Sequence, residues 1–175
     1  MAVAGRSNVG KSSLLNWLWR RRLARVAKAP GKTRTLNYYL VNGGFYLVDL
    51  PGYGYASVQR ELREQWGREL ASYLATEERL AGVLCLVDIR HGLTALDREL
   101  QQLLDQSARR RVVVLTKADK VGRGARESMR RKIQLELGLA VPPPAVSVKT
   151  GEGRKELLTG MEQLIESWKQ EQQGA

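Results

Sequence analysis

Cysteine, histidine and phenylalanine each occur only once in this chain of 175 residues. The single cysteine, Cys85, cannot form a disulfide within the chain and lies in the apolar run 83–87, so we expect a buried, inert thiol in a reducing compartment such as the cytoplasm. No apolar run approaches the roughly 20 residues of a membrane-spanning helix. We also expect no signal peptide, because a glycine-rich loop stands where a leader would be.

Acidic residues are scarce relative to basic ones. The chain has 18 Asp and Glu against 29 Lys and Arg, which gives a net charge of +11. No acidic residue occurs from Arg20 to Arg34, and further basic groups lie at 109–111 and 123–132. A run of charge is often only a solvated face. An imbalance over the whole chain indicates a polyanionic partner beyond a nucleotide, and RNA is the leading candidate.

The remaining composition, with 43% apolar residues, predicts a single domain over residues 1–175 with a frayed tail at 170–175. Residues 24–36 are expected to form a mobile, irregular loop. The predicted strands are 1–4, 37–41, 45–50, 83–88, 111–115 and 145–148, and the predicted helices run from the glycine-rich loop to about 22 and over 58–75, 94–106, 126–137 and 153–169. This alternation predicts a three-layer α/β fold with a mostly parallel sheet and one antiparallel edge strand.

The residues from Gly5 to Ser13 fit the pattern G-x-x-x-x-G-K-[ST] of a phosphate-binding loop, or P-loop. An apolar run precedes the motif and a predicted helix follows it, as the motif requires. Glycines let the backbone approach oxygen atoms closely, and the amides of residues 7–12 are expected to point at phosphates from a helix N-terminus. Lys11 supplies a point charge for the β- and γ-phosphates, and the Ser12 hydroxyl is a hard oxygen ligand suited to Mg²⁺. The alternative is a plain glycine turn before a helix.

Two more motifs follow predicted strands, at the sheet edge where open α/β sheets bind ligands. In Asp49-Leu50-Pro51-Gly52, the carboxylate is placed to hold the hydration shell of Mg²⁺, and the Gly52 amide is placed to reach a γ-phosphate. In Thr116-Lys117-Ala118-Asp119, the carboxylate can accept two hydrogen bonds from the edge of guanine, a donor pair that adenine lacks. The Lys117 stem can lie along the base plane. Either motif alone could be a turn; after a P-loop they indicate GTP.

Together these motifs resemble the EngB family of ribosome-assembly GTPases, which belongs to the TRAFAC class. The segment 30–37, with sequence Pro-Gly-Lys-Thr-Arg-Thr-Leu-Asn, and Asp88-Ile-Arg-His91 with Asp97 separate it from GTPases at large. The resemblance implies a Ras-like P-loop NTPase fold and Mg²⁺-dependent GTP hydrolysis, and we expect a monomer. It also implies a partner in the large ribosomal subunit or its precursor rRNA, and a role in normal cell division and septation.

The resemblance also assigns residues to the site. Thr33 is expected to be a Mg²⁺ ligand together with Ser12, and Asp49 is expected to act through water. Thr116 stands where many other GTPases have asparagine, so guanine selection depends more on Asp119, and the backbone at Val148 is expected to contact the guanine oxygen. The predicted GTP-binding residues are Gly5, Arg6, Ser7, Asn8, Val9, Gly10, Lys11, Ser12, Ser13, Gly31, Lys32, Thr33, Arg34, Thr35, Asp49, Leu50, Pro51, Gly52, Thr116, Lys117, Ala118, Asp119, Ser147, Val148 and Lys149.

Catalysis is predicted to be slow. Ras-like enzymes carry a water-orienting glutamine directly after D-x-x-G, and this chain has Tyr53 there. The predicted catalytic residues are Lys11, Asn8, Thr33 and Gly52. We hypothesise that Asn8 holds a K⁺ ion near the bridge between the β- and γ-phosphates. For Arg90 and His91 a packing or loop-tethering role is favoured over that of a general base for His91, because no partner residue is identifiable.

Two alternatives remain at this point. One is a P-loop kinase or another ATP-using enzyme, against which Asp119 and the lack of a lid-like arginine segment argue. The other is a basic RNA-binding module in which a guanine nucleotide is only structural. Nucleotide titration separates the first from a GTPase switch, and a comparison of partner binding in the GDP and GTP states separates the second.

Overall fold

The computed structural model describes residues 1–19, 23–29, 36–54 and 60–174, and for 23–29, 60–64 and 66 it describes the backbone only. The strands are β1 (Ala2–Gly5), β2 (Leu23–Ala29), β3 (Leu36–Val41), β4 (Phe45–Asp49), β5 (Val83–Asp88) and β6 (Arg111–Thr116). The helices are α1 (Lys11–Trp19), α2 (Arg60–Thr76), α3 (Ala95–Gln106), α4 (Arg123–Leu137) and α5 (Arg154–Gly174). No helix within these ranges is both long and apolar enough to cross a membrane.

In the described part of the chain, six strands form one sheet in the order β2-β3-β4-β1-β5-β6. The strands β4, β1, β5 and β6 run parallel, and β3 is antiparallel to both of its neighbours. The predicted α/β class with a mostly parallel sheet is therefore confirmed. The antiparallel strand is β3, and β2 lies outside it at the edge of the sheet.

The central strands are buried on both faces, which explains their nearly continuous apolar sequences. Alternate side chains point to opposite faces: Val83, Cys85 and Val87 of β5 pack in one apolar core with buried residues of α2, α3 and α4. Leu84 and Leu86 pack in a second core with α1 and α5. The result is the predicted three-layer arrangement. Cys85 is buried as expected, and burial raises the pKa of its thiol to about 12.

The prediction of an irregular loop over residues 24–36 is wrong in its first part, because Leu23–Ala29 forms the edge strand β2. The strand pairs with β3 from Leu23 opposite Val41 to Ala29 opposite Leu36, with a register shift between Arg25 and Ala27. The pairing depends on a partner strand later in the chain, which a local pattern does not reveal. Basic residues are common on exposed edge strands because they discourage pairing with other chains.

The predicted strand at 145–148 is also wrong. Only an isolated bridge joins Ala145 to Leu115 of β6, with hydrogen bonds from Leu115 N to Pro144 O and from Val146 N to Leu115 O. Prolines at 142–144 lack the N–H groups that a longer pairing with β6 would need. At the end of the chain, residues 170–174, where the sequence predicts a frayed tail, are helical as part of α5.

Candidate functional site

The P-loop connects the carboxyl end of β1 to the first turn of α1. Asn8 and Gly10 have φ values of 64° and 102°, in the left-handed region, and the N–H of Leu14 donates to the Gly10 carbonyl at 2.8 Å to begin the helix. A Cβ at Gly5 would lie 2.9 Å from Cγ1 of Val9. The glycines therefore let the loop fold back tightly over the N-terminus of α1, where backbone amides can bind an anion.

Lys11 and Asp49, which the sequence predicts to act on phosphate and on hydrated Mg²⁺, form an ion pair. The parallel pairing of β1 with β4 places Asp49 opposite Val3, beside the P-loop. Both side chains are largely buried, with 13% and 15% of their surface exposed. Ser12, the next residue on α1, is exposed. The Ser12 hydroxyl, the Asp49 carboxylate and the Lys11 ammonium thus lie at the same edge of the sheet.

The loop that follows Asp49 packs directly on the P-loop. A Cβ at Gly52 would lie 3.3 Å from the backbone nitrogen and from Oγ of Ser7. The N–H and the hydroxyl of Ser7 both donate to the Tyr53 carbonyl, at 2.8 and 3.2 Å. The Ser7 amide therefore joins the two loops, although we expected it to face phosphates. The amide of Val9 likewise donates within the loop, to the Arg6 carbonyl at 3.1 Å.

The Tyr53 side chain is buried, with 4% exposed, and lies in the core under α2, α3 and α4. Its hydroxyl donates to Oδ1 of Asp97 at 2.7 Å. Asp97 is 2% exposed and belongs to a capping box with Thr94 at the start of α3. From the sequence, Asp97 stands out only through the family resemblance. The spacing of Thr94 and Asp97 before an apolar helical pattern is the signal that could have located the cap.

A cavity of about 280 Å³ on the other side of the P-loop contains most of the predicted base-binding residues. The carboxylate of Asp119 accepts a hydrogen bond from the Ser147 hydroxyl at 2.8 Å, and this bond lowers the pKa of Asp119. An ionised, oriented carboxylate is what guanine recognition requires. The cavity is lined by Val9, Gly10, Ser13, Leu14, Thr116, Lys117, Asp119, Val146, Val148 and Lys149.

Thr116 and Ala118 form hydrogen bonds that hold residues of the cavity lining in place. The buried Thr116 hydroxyl donates to the Val9 carbonyl at 2.7 Å, so the end of β6 is tied to the P-loop. The Ala118 N–H donates to the Val146 carbonyl at 3.0 Å, which ties Asp119 to the segment that carries Ser147. Many other GTPases have asparagine at the position of Thr116. In this chain, the threonine hydroxyl connects the base-binding motif to the P-loop.

Lys117 bridges the base motif and the P-loop through its side chain. Its ammonium donates to the Asn8 carbonyl at 2.7 Å and pairs with Oδ2 of Asp88 at 2.8 Å. The Arg90 guanidinium also binds the Asp88 carboxylate, at 2.9 and 2.7 Å. Burial alone would raise the pKa of Asp88, but hydrogen bonds from Arg90 and Lys117 outweigh it and hold that pKa below the usual range. Of Arg90 and His91, for which a packing or tethering role is expected, Arg90 binds the carboxylate that also pairs with Lys117.

The other residues predicted to bind GTP belong to two segments, 147–149 and 31–35. Ser147 is fully buried and its carbonyl accepts from the Gly151 N–H at 2.9 Å, so Val148 and Lys149 lie in a turn at the cavity, where both are exposed. The second segment, which includes the predicted Mg²⁺ ligand Thr33, lies outside the described residues: Gly31, Lys32, Thr33, Arg34 and Thr35.

Most arginines of the basic groups at 109–111 and 123–132 are bound to other parts of the protein. Arg123, Arg131 and Lys132 are exposed, and no ion pair between described residues includes them. The Arg109 guanidinium donates to the carbonyls of Leu74 and Ala75. The other four form the ion pairs Arg110–Glu171, Arg111–Asp105, Arg126–Glu152 and Arg130–Glu156. The cationic surface is therefore smaller than the sequence suggests.

A P-loop, an acidic strand end paired with its lysine, and a base cavity with an oriented carboxylate define a guanine-nucleotide-binding P-loop protein. A family model described as "50S ribosome-binding GTPase" matches residues 1–117. Two curated relatives carry the name probable GTP-binding protein EngB. The one from Pelotomaculum thermopropionicum is 49% identical over 161 residues, which are 90% of this chain and 81% of that protein. The one from Clostridioides difficile is 46% identical over 156 residues, 86% of this chain and 77% of that protein. The chain belongs to the EngB family of GTP-binding proteins, and it is a GTPase.

Solved structures agree with this fold. The crystal structure of a probable GTP-binding protein EngB superposes with a TM-score of 0.76 at 21% identity, covering 95% of this chain and 98% of the other. The G domain of the Thermotoga maritima FeoB iron transporter superposes with a TM-score of 0.62 at 27% identity, covering 95% and 96%. The predicted Ras-like fold is therefore confirmed.

Proposed function

We propose that this GTPase is a slow, Mg²⁺-dependent switch that acts in assembly of the large ribosomal subunit in the bacterial cytoplasm. In this proposal the GTP-bound monomer binds the subunit or its precursor rRNA. The description of the matching family model as a 50S ribosome-binding GTPase supports the partner, and a net charge of +11 favours an RNA surface. Normal cell division and septation would then depend on the protein through the supply of ribosomes.

The observation that carries the switch proposal is the packing of the Asp49–Gly52 loop on the P-loop. Gly52 lies against Ser7, and Lys11 pairs with Asp49. A γ-phosphate bound at the P-loop would lie close to the Gly52 segment, because the Gly52 backbone packs against Ser7 of that loop. Loss of that phosphate would remove the contact, which is how a bound nucleotide can bias two conformations.

The residues at this edge fit a Mg²⁺ ion. The Ser12 hydroxyl and the Asp49 carboxylate are hard oxygen donors beside the lysine that would bind phosphate, and we propose that Ser12 and Thr33 coordinate the ion and that Asp49 acts through water. When bound with the nucleotide, the ion neutralises charge on the β- and γ-phosphates. Lys11 and the loop amides stabilise the rest of that charge.

Slow hydrolysis follows from the position of Tyr53 in this proposal. Its ring is buried and its hydroxyl is bound to Asp97, so the side chain is not placed to orient an attacking water. We propose that Asn8, which is exposed at φ 64°, holds a K⁺ ion that assists. The GTPase rate should be higher in K⁺ than in Na⁺, and Asn8→Gly, which tolerates the same φ, should abolish the difference. Equal rates in the two ions, with and without ribosomal subunits, would refute the K⁺ role.

The decisive experiment for the proposed function is sedimentation of the protein with 50S subunits in the presence of GDP or a non-hydrolysable GTP analogue. Binding should be stronger with the analogue. Equal binding would favour the alternative, an RNA-binding module whose nucleotide is structural. An ATP-using kinase, the other alternative, has no support because the relatives are GTP-binding proteins.

A further inference from the structure

Tyr53 connects the P-loop to helix α3 through two separate hydrogen-bonding groups. Its carbonyl accepts from Ser7 in the P-loop, and its hydroxyl donates to Asp97 on α3. We propose that the Tyr53–Asp97 hydrogen bond is a positioning contact that strengthens the binding of GTP relative to that of GDP. This inference rests on the proposed role as a GTP-dependent switch.

The α3 end of the contact is rigidly built. The Asp97 carboxylate accepts from the Thr94 N–H at 2.8 Å and from the Thr94 hydroxyl at 2.6 Å, besides the Tyr53 hydroxyl at 2.7 Å. A buried carboxylate needs such donors, because an unpaired charge in the core is costly. Each donor therefore fixes the carboxylate in place, and hydrogen bonds to an ionised acceptor are the stronger kind.

Tyr53 remains a donor in this environment. Burial and the neighbouring Asp97 carboxylate both raise the pKa of the Tyr53 phenol. The hydroxyl thus keeps its proton at neutral pH. The next residue is held against α3 as well: at Gly54, with φ 79°, an added Cβ would lie 3.2 Å from Cδ1 of Leu96.

The contact acts on one part of the nucleotide site only. Tyr53 directly follows Gly52, whose amide is the group predicted to reach a γ-phosphate. The base cavity on the other side of the P-loop is held by its own hydrogen bond, from Ser147 to Asp119. Loss of the Tyr53 hydroxyl should therefore loosen the Gly52 segment on its α3 side, while the two Ser7 hydrogen bonds to the Tyr53 carbonyl keep the P-loop in place. Because GDP has no γ-phosphate, the affinity for GDP should not change.

The test is Tyr53→Phe, which keeps the ring in the core and removes only the hydroxyl. Isothermal titration of the full chain with GDP and with the analogue GppNHp, both with Mg²⁺, measures the two affinities. We expect the Kd for GppNHp to rise about fivefold or more, which corresponds to about 1 kcal/mol. The Kd for GDP should change less than about twofold. A purely structural role would weaken both nucleotides alike.

The matched control is Arg98→Ala. This variant removes the surface ion pair from α3 to Glu136 and leaves the Tyr53–Asp97 bond and both Thr94 donors in place, so the ratio of the two affinities should stay at the wild-type value. An unchanged ratio in Tyr53→Phe, or an equal loss for both nucleotides, would overturn the inference. Because no ribosomal subunit is present, that result is independent of whether the protein binds 50S subunits.

Discussion

Asp119 is the residue on which the choice of base depends, because its carboxylate is both ionised and oriented by Ser147. We predict that Asp119→Asn lowers the affinity for GTP at least about a hundredfold, since a site built for two hydrogen bonds loses one acceptor and gains a facing donor. The same variant should bind xanthosine triphosphate better than the wild type, because its amide can donate to the carbonyl that xanthine carries in place of the amino group.

Fluorescence titration with both nucleotides measures this exchange of specificity. Ser147→Ala is the control: it removes the orienting hydroxyl but keeps the carboxylate, so a smaller loss of GTP affinity with no gain for xanthosine triphosphate is expected. A variant Asp119→Asn that still prefers GTP would show that another group reads the base.

Asp88 leads to a prediction about pH. The pKa of Asp88 is lowered in the folded protein, so the ionised carboxylate stabilises the folded state. This contribution to the free energy of unfolding is complete above the pKa of an aspartate in the unfolded chain, which is about 4. As the pH falls below about 4, the unfolded chain takes up the proton first, and the stabilisation is lost. At pH 7, Asp88→Asn should reduce the free energy of unfolding by about 1–3 kcal/mol, because hydrogen bonds to a charged group are lost.

Urea unfolding of wild type and variant at pH 7 and pH 3 measures the effect, and the difference between them should shrink at pH 3. Asp105→Asn is the matched control, since Asp105 pairs with Arg111 on the surface with 64% of its side chain exposed and such pairs contribute little. A difference between wild type and Asp88→Asn that is independent of pH would contradict the assignment.

At the level of helices and strands, the sequence predicted those elements that carry their own pattern. The buried strand β5 spans the predicted 83–88, and α3 begins within one residue of the expected start because Thr94 caps it. The edge strand β2 was missed because its structure comes from pairing with β3 rather than from alternation of its own residues. The short strand after Pro144 was over-predicted, since apolar residues there are buried without regular pairing to β6.

The candidate site divides in the same way. Motifs with fixed spacing located the P-loop, Asp49 and Asp119, because the chemistry of a nucleotide dictates which residue types they contain. The supporting contacts were not predictable, since a bond such as Tyr53–Asp97 joins positions 44 residues apart. The Lys117–Asp88 pair is of the same kind. Such partners become neighbours only when β4, β5 and β6 align their carboxyl ends.

Gly153 allows a test of how the start of α5 supports the base cavity. It has φ 77°, and an added Cβ would collide with the carbonyl oxygen of Ala145, in the segment that leads to Ser147. We predict that Gly153→Ala lowers the free energy of unfolding by about 3 kcal/mol or more, from left-handed strain plus the collision. Displacement of Ser147 should also weaken GTP binding.

Gly151→Ala is the matched control, because Gly151 has φ 83° but a Cβ added there would meet no atom of a more distant residue within 4 Å. In Gly151→Ala, left-handed backbone strain alone should lower the free energy of unfolding, by about 1 kcal/mol, and the affinity for GTP should not change. Chemical denaturation and nucleotide titration of both variants give the comparison. Equal losses of stability in the two variants would mean that Gly153 is required for its backbone angle alone.

For the molecule as a whole, the net charge of +11 is the property most directly connected to a large anionic partner. Ion pairs with acidic residues occupy Arg110, Arg111, Arg126 and Arg130. On α4, Arg131 and Lys132 are exposed, and the ion pairs between described residues do not include them. If the partner is rRNA, adjacent free cations of this kind are the ones that release counterions from its phosphates.

We therefore predict that the double variant Arg131→Ala and Lys132→Ala weakens binding of the GTP-analogue form to 50S subunits. The slope of the logarithm of affinity against the logarithm of salt concentration should become shallower by about two. The affinity for GTP should not change, because neither residue lines the base cavity. Lys169→Ala, which removes an exposed cation from α5, is the control and should leave the slope close to the wild-type value. If the loss per charge is the same at both places, the attraction comes from the total charge of the protein and not from a surface on α4.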